Sequence, residues 1–334
     1  MMERSIRLTN EHIGRVIRES VQAVLSEHAG VFPGCEEKAL KIFDLIWSCW
    51  VLKDRSKMHW LSTTKEIIRN GYPVLFFDIP WAFCEYIAIV ANEGKGRAFA
   101  SIPEDPNYAA RITVNPKLLS GKTREEATRE LVPTLMHELT HIWHSVQMYM
   151  NDKSWSQMRK NSGYDVAYER YVGQNYVDGD EEDELENQLV NCLYIFSGIE
   201  RGPIIASLYG HLTQSGEKFK SVDEIIRFLR KQPRFRQFYS YGSVAYKLRQ
   251  IANEETQQKM MEMVNTMTNH HFTTYHQVCK YMKNLVDKSR EKAEDMIVKM
   301  AMMYWRRINF WQNHLNGPQT QRRGKYTARK WMSV

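Results

Sequence analysis

Between residues 9 and 27, apolar side chains recur at helical spacing. Ile13, Val16, Ile17, Val21, Val24 and Leu25 share one face, with Arg and Glu between them. This predicts an amphipathic helix, which the stretch HAGVFPGC then breaks as a linker to the main body. A second apolar helix is predicted over about 37–53. The period then shortens. VLFFDIP (74–80), EYIAIVAN (85–92), RAFASIP (97–103) and ARITVNP (110–116) are short and rich in aromatic and β-branched residues, and NEGKG (92–96) fits a hairpin turn. They predict a small, mostly antiparallel sheet. From about residue 122 onward the pattern is helix and loop, so the predicted class is α+β with a helix-rich C-terminal half. The predicted organisation is an N-terminal helix (1–30), a main domain (31–315) and a C-terminal tail (316–334).

Composition adds limits. The chain has 334 residues, 43% hydrophobic and 25% charged, ordinary for a globular protein with a sizeable core. No stretch is apolar for long enough to cross a bilayer. MMERSIRLTNEH lacks the apolar centre of a secretory signal, which predicts a chain that is not secreted by that route. Five cysteines with no close pairs predict neither a disulfide framework nor a cysteine-based zinc knuckle, and suit a reducing compartment such as the cytoplasm. The net charge of +7 belongs to the end of the chain. After Asp295 there are eight Lys and Arg residues and no acidic one, so the remainder is close to neutral.

Chemistry concentrates in VPTLMHELTHIWHSVQMYM (132–150). Pro133 is expected in the first turn of a helix, where its missing N–H costs little. Leu135, Leu139, Ile142, Trp143 and Val146 supply an apolar face. His137 and His141 lie one turn apart and point the same way, so two imidazoles can grip one Zn²⁺. Glu138, beside them, can serve as general base for the water that such a metal activates. His144 extends the row, yet it stands about 10 Å along the axis from His137, too far to share a metal with both. The downstream Gly and His of a metzincin are absent.

The third ligand has two sources. One is the acidic run DGDEEDELENQ (178–188), where Glu184 and Gln188 imitate a Glu-x-x-x-Asp spacing and Glu186 is a further carboxylate; such runs are usually solvated. The other is Glu200 in LYIFSGIERGPIIASLYGHL. Burial there needs a partner, which a metal would supply. Gly202 and Ala206 would let two helices approach closely. A capping box of Ser197 with Glu200 is the structural alternative.

HELTH followed by a distant glutamate resembles the gluzincin group of zinc metallopeptidases. The opening SIRLTNEHIGRVIRESVQAVLSE, the HELTHIWH helix, and LYIFSGIERGPIIASLYGHL with SVDEIIRFLR are together similar to zincin-like proteins of tailed phages of gut bacteria, over residues 1–27 and roughly 85–245. The resemblance implies a zincin-like fold, Glu200 as third zinc ligand, and a phage protein acting in the host cytoplasm or packaged in the virion. Pro203 departs from the small residue expected there. The resemblance also implies that residues 4–25 are a docking segment, with capsid or virion components as partners.

The tail interleaves Arg and Lys with Tyr304, Trp305, Phe310, Trp311, Tyr326 and Trp331, a composition that can bind nucleic acid. Three functions follow: a metallopeptidase acting on proteins or peptides, a catalytically silent virion or interaction protein with the same fold, and a DNA-associated zinc protease tethered by its tail. For the oxyanion donor, Tyr164, Tyr168, Tyr171, Tyr239, Tyr241 and His211 are candidates that nothing ranks. The strand ARITVNP is expected to line the cleft. The methionine-rich stretch 259–303 is expected to pack a helical core, and Ser221 with Glu224 to cap a helix.

Overall fold

The computed structural model describes residues 32, 34–54, 56, 68–81, 84–92, 98–101, 110–150, 181–196, 198–268 and 270–315. The predicted helix at 9–27 and the tail at 316–334 lie outside the described residues. Helix α1 (Cys35–Ile46) starts after Gly34, whose φ of 74° is the left-handed conformation that glycine tolerates best. It loosens into a π-turn over Trp47–Val51. Phe32 is buried and stacks on Trp143 with centroids 5.2 Å apart, so at this point the predicted linker already packs on the body.

Two short strands, β1 (Ile68–Arg69) and β2 (Tyr72–Pro73), form a small hairpin. The main sheet contains β3 (Leu75–Trp81), β4 (Cys84–Ala91), β5 (Ala98–Ser101) and β6 (Ala110–Val114), in the order β3-β4-β6-β5. Along β4, Ile87, Ile89 and Ala91 are buried and alternate with partly exposed positions, the period-two pattern of a half-covered strand. The expected hairpin through 92–96 does not form, because β6 lies between β4 and β5 and pairs parallel with β4. Burial decides the order. β6 buries Ala110, Ile112, Thr113 and Val114 and takes the interior position, and β5 is left at the edge. The sheet is therefore mixed, with antiparallel ladders β3–β4 and β5–β6.

A 3-10 turn (Pro116–Leu118) leads to α2 (Arg124–Met150). This helix begins at a reciprocal capping box: Glu126 accepts from the Thr123 backbone N–H at 2.8 Å, and the Glu126 N–H donates to the Thr123 hydroxyl at 3.3 Å. Pro133 consequently sits inside α2 and not in its first turn. Leu131, Val132, Leu135, Met136, Leu139 and Ile142 are all fully buried, and α1, α4 and β5 pack around the helix.

Helices α3 (Glu181–Phe196), α4 (Gly198–Thr213), α5 (Val222–Lys231), α6 (Pro233–Ser240), α7 (Val244–Arg249), α8 (Glu254–Thr268) and the 41-residue α9 (Tyr275–Leu315) complete the fold. Ser221 and Glu224 form the predicted cap of α5, with Glu224 N–H to Ser221 Oγ at 3.2 Å. Met260, Met263, Met267, Met282, Met300 and Met303 are buried, as the methionine-rich pattern predicts. The fold is α+β with a helix-rich C-terminal half. Among the described residues, no helix is long and apolar enough to cross a membrane.

Candidate metal centre

The site is built where α2 and α4 cross. Small residues let the two backbones meet. A Cβ on Gly210 would stand 2.8 Å from Pro133 Cα, and one on Gly202 would stand 2.5 Å from His144 Cε1. Gly210 thus lies over the start of the motif and Gly202 over its end, so the helices run antiparallel. Ala206, fully buried between the two glycines, continues the stripe.

This crossing brings Glu200, in the first turn of α4, onto the two motif histidines. His141 Nε2 is 3.2 Å from Glu200 Oε1, His137 Nε2 is 3.5 Å from Glu200 Oε2, and the two Nε2 atoms are 3.3 Å apart. Glu200 is 0% exposed, His137 4% and His141 7%. Burying an ionised carboxylate here is costly unless positive charge faces it. The imidazoles hold the Glu200 carboxyl well below the usual carboxylate range, against the opposing effect of burial. Burial pushes the His141 imidazole down, but the Glu200 carboxylate more than offsets this and leaves it raised.

The donor triangle fits a metal ion. Tetrahedral ligands with bonds near 2.0–2.1 Å stand about 3.3 Å from one another, and the three separations fall on either side of that value. Two imidazole nitrogens and one carboxylate oxygen form a donor set that leaves a fourth position open for water or substrate. Among the described residues these are the His, Cys, Asp and Glu side chains whose donor atoms converge in this way. His137 Nδ1 is buried and has no hydrogen-bond partner among the described residues.

Glu138 lies beside the triangle and reaches the sheet. Its Oε2 accepts the Ala100 backbone N–H at 2.7 Å, tying the motif to the edge strand β5. The side chain is buried, and burial raises its carboxyl pKa, with the two neighbouring histidines opposing the rise. Such a group holds a proton more readily than a solvated glutamate, as a general base near a reacting centre needs. The strand at the motif is therefore β5; the expected ARITVNP is β6 and lies inside the sheet.

The structure brings together His137, Glu138, His141 and Glu200, and it separates the other candidates. His144 lies one turn on, against Gly202, and burial together with His141 pushes it down to about 4, so it is neutral at ordinary pH. In the acidic run, Glu186 is paired with Lys259 and Gln188 accepts from Lys247 Nζ at 2.9 Å; the Glu184 side chain lies outside the described residues. Ser197, the proposed capping partner of Glu200, also lies outside them. Of the suggested oxyanion donors, Tyr239 is engaged by Glu294 at the surface, and Tyr164, Tyr168 and Tyr171 are outside the described residues. Cys35, Cys49, Cys192 and Cys279 are buried free thiols; Cys35 seats α1 on α2 through Met136 O and Thr140 Oγ1.

Arg234 was not singled out by the sequence, and its charge acts on both Glu138 and His141. Only Pro233, which opens the short helix carrying it, marks the place in the chain. Compared with protein-family models, curated proteins and solved structures, the chain matches none.

Proposed function

We propose that the chain is a zinc-dependent metallopeptidase in which His137, His141 and Glu200 hold the metal and Glu138 is the general base. The observation that carries this reading is the buried triangle of donor atoms at 3.2–3.5 Å with Glu138 adjacent in the same helical turn. A buried His–His–Glu set of this size favours Zn²⁺ among common ions, and a zinc ion there supplies Lewis acidity toward a carbonyl and toward water.

The chain's own residues account for the remaining roles. Glu138 takes the proton of the attacking water and, after the tetrahedral stage, delivers it to the leaving amine. The Ala100 N–H fixes one carboxylate oxygen of Glu138 at 2.7 Å and leaves the other to reach the water. Strand β5, at the sheet edge beside α2, offers backbone groups with which an extended peptide could pair.

Hydrolysis of an unstructured protein such as casein tests the assignment. Glu138→Gln should keep the metal content of the wild type and lose activity by roughly 100-fold or more. Undiminished turnover in that variant would remove Glu138 as the base.

A further inference from the structure

Up to Asp295 the chain is close to neutral, but its charge is not evenly spread. Between Ile225 and Asn253 there are seven Lys and Arg residues and no Asp or Glu. This stretch forms most of α5, then α6, a 3-10 turn (Tyr241–Ser243) and α7. All three helices pack on the long α9, and α6 and α7 also pack on α3, so they form one outer layer. Each turns an apolar side inward. Ile225 and Leu229 of α5, Phe235 and Phe238 of α6, and Val244, Ala245 and Leu248 of α7 are buried. What these helices leave in water is basic.

Arg227 and Lys231 are exposed one turn apart on α5. Arg236 is exposed on α6, and on α7 Arg249 is exposed three positions after Tyr246, on the same helix face. Tyr246 is 66% exposed, a large ring left in water. Among the described residues, Lys231, Arg236 and Arg249 make no ion pair and no hydrogen bond. Surface cations elsewhere are paired: Lys41 with Glu37, Arg124 with Asp44 and Lys283 with Asp287, at 2.6–2.8 Å. Glu294 of α9, a carboxylate at this layer, is already held by Arg230 at 2.7 Å and by Tyr239. Like charges gathered without counter-charge repel one another, and an anionic partner relieves that cost. Several separate cations suit a chain of phosphates, and an exposed ring between them suits a stacked base.

We propose that the outer face of α5, α6 and α7 binds single-stranded nucleic acid, with Arg227, Lys231, Arg236 and Arg249 on phosphates and Tyr246 under a base. This surface is separate from the C-terminal tail, and it does not depend on the metallopeptidase reading.

The test is fluorescence anisotropy of a labelled oligothymidine of about 20 nucleotides with the full-length chain, between about 50 and 200 mM NaCl. Four phosphate contacts on a single strand give a slope of log affinity against log salt of about −3. Arg236→Gln/Arg249→Gln should weaken binding by about tenfold or more and make the slope shallower by about 1.4. Tyr246→Ala should weaken binding by about fivefold or more and leave the slope unchanged, because stacking displaces no counterion. These positions are exposed, so urea midpoints should match the wild type. Arg322→Gln/Arg323→Gln in the tail should bind within about twofold of wild type. Loss of affinity in the tail variant, with Arg236→Gln/Arg249→Gln binding normally, overturns the proposal. So does a wild type that binds no oligothymidine, or one that prefers vesicles of phosphatidylcholine and phosphatidylserine. A duplex of the same length bound as tightly as the single strand, with Tyr246→Ala unaffected, overturns the assignment of a single strand.

Discussion

At the residue scale, three converging donor atoms and one neighbouring carboxylate make up the candidate centre. Glu200 is fully buried against His137 and His141, so Glu200→Ala removes both a ligand and the charge that raises the His141 imidazole. The variant should lose metal affinity by several orders of magnitude, read by competition with a chromogenic chelator. The ligands bind metal only when deprotonated, so acidification below roughly pH 6 should strip zinc from the wild type, and zinc binding near that pH should release protons. Calorimetry in buffers of different ionisation enthalpy measures that release; metal uptake with no proton release at pH 6 would contradict the histidine ligation.

At the element scale, the α2–α4 crossing is what turns two distant sequence segments into one site. Gly210→Ala would drive a methyl to 2.8 Å from the Pro133 backbone and 2.9 Å from Met136 Sδ, where a rigid helix cannot yield cheaply. It should destabilise the fold by about 1–3 kcal/mol in urea denaturation. Gly202→Ala meets only the His144 ring, at 2.5 Å. It should weaken zinc binding by shifting the first turn of α4, and Gly202→Ala/His144→Ala should recover most of the loss. A double variant no better than the single one would show that the His144 contact is not the cause.

Much of this was legible in the sequence, for specific reasons. HELTH at helical spacing singles out His137, His141 and Glu138 through local geometry alone, and the two histidines do converge with Glu200. Burial of an acid within apolar sequence leaves Glu200 and the acidic run both open, and it is the resemblance to gluzincins that implies Glu200. Strand order was not legible: β6 takes the interior position and buries Ala110, Ile112, Thr113 and Val114, and no local turn signal encodes that its parallel partner is β4. Pro133 misled because the Thr123–Glu126 capping box, present in the sequence, places the helix start nine residues earlier. The packing of α6 on the end of α3, where Phe238 stacks on Phe196, was not legible either, since no local pattern encodes it.

At the scale of the whole molecule, the C-terminal helix locks the site's framework. Arg307 of α9 donates to Glu36 of α1 at 3.1 Å and to Tyr209 of α4 at 2.5 Å, and Gln214 adds a bond to Glu36 at 3.2 Å. One guanidinium thus joins the two helices that flank α2. Arg307→Leu leaves the Glu36 carboxylate, largely buried, without its cation, and should cost about 1–3 kcal/mol in urea denaturation. A loss within a few tenths of a kcal/mol would show that the clamp contributes nothing to stability.

The most direct measurement of the central claim is zinc content by inductively coupled plasma mass spectrometry on wild type, His141→Ala, Glu200→Ala and Glu138→Gln, each purified in the same way. About one zinc per chain is expected in wild type and Glu138→Gln, and essentially none in the other two. Full zinc occupancy in His141→Ala or Glu200→Ala would contradict that claim.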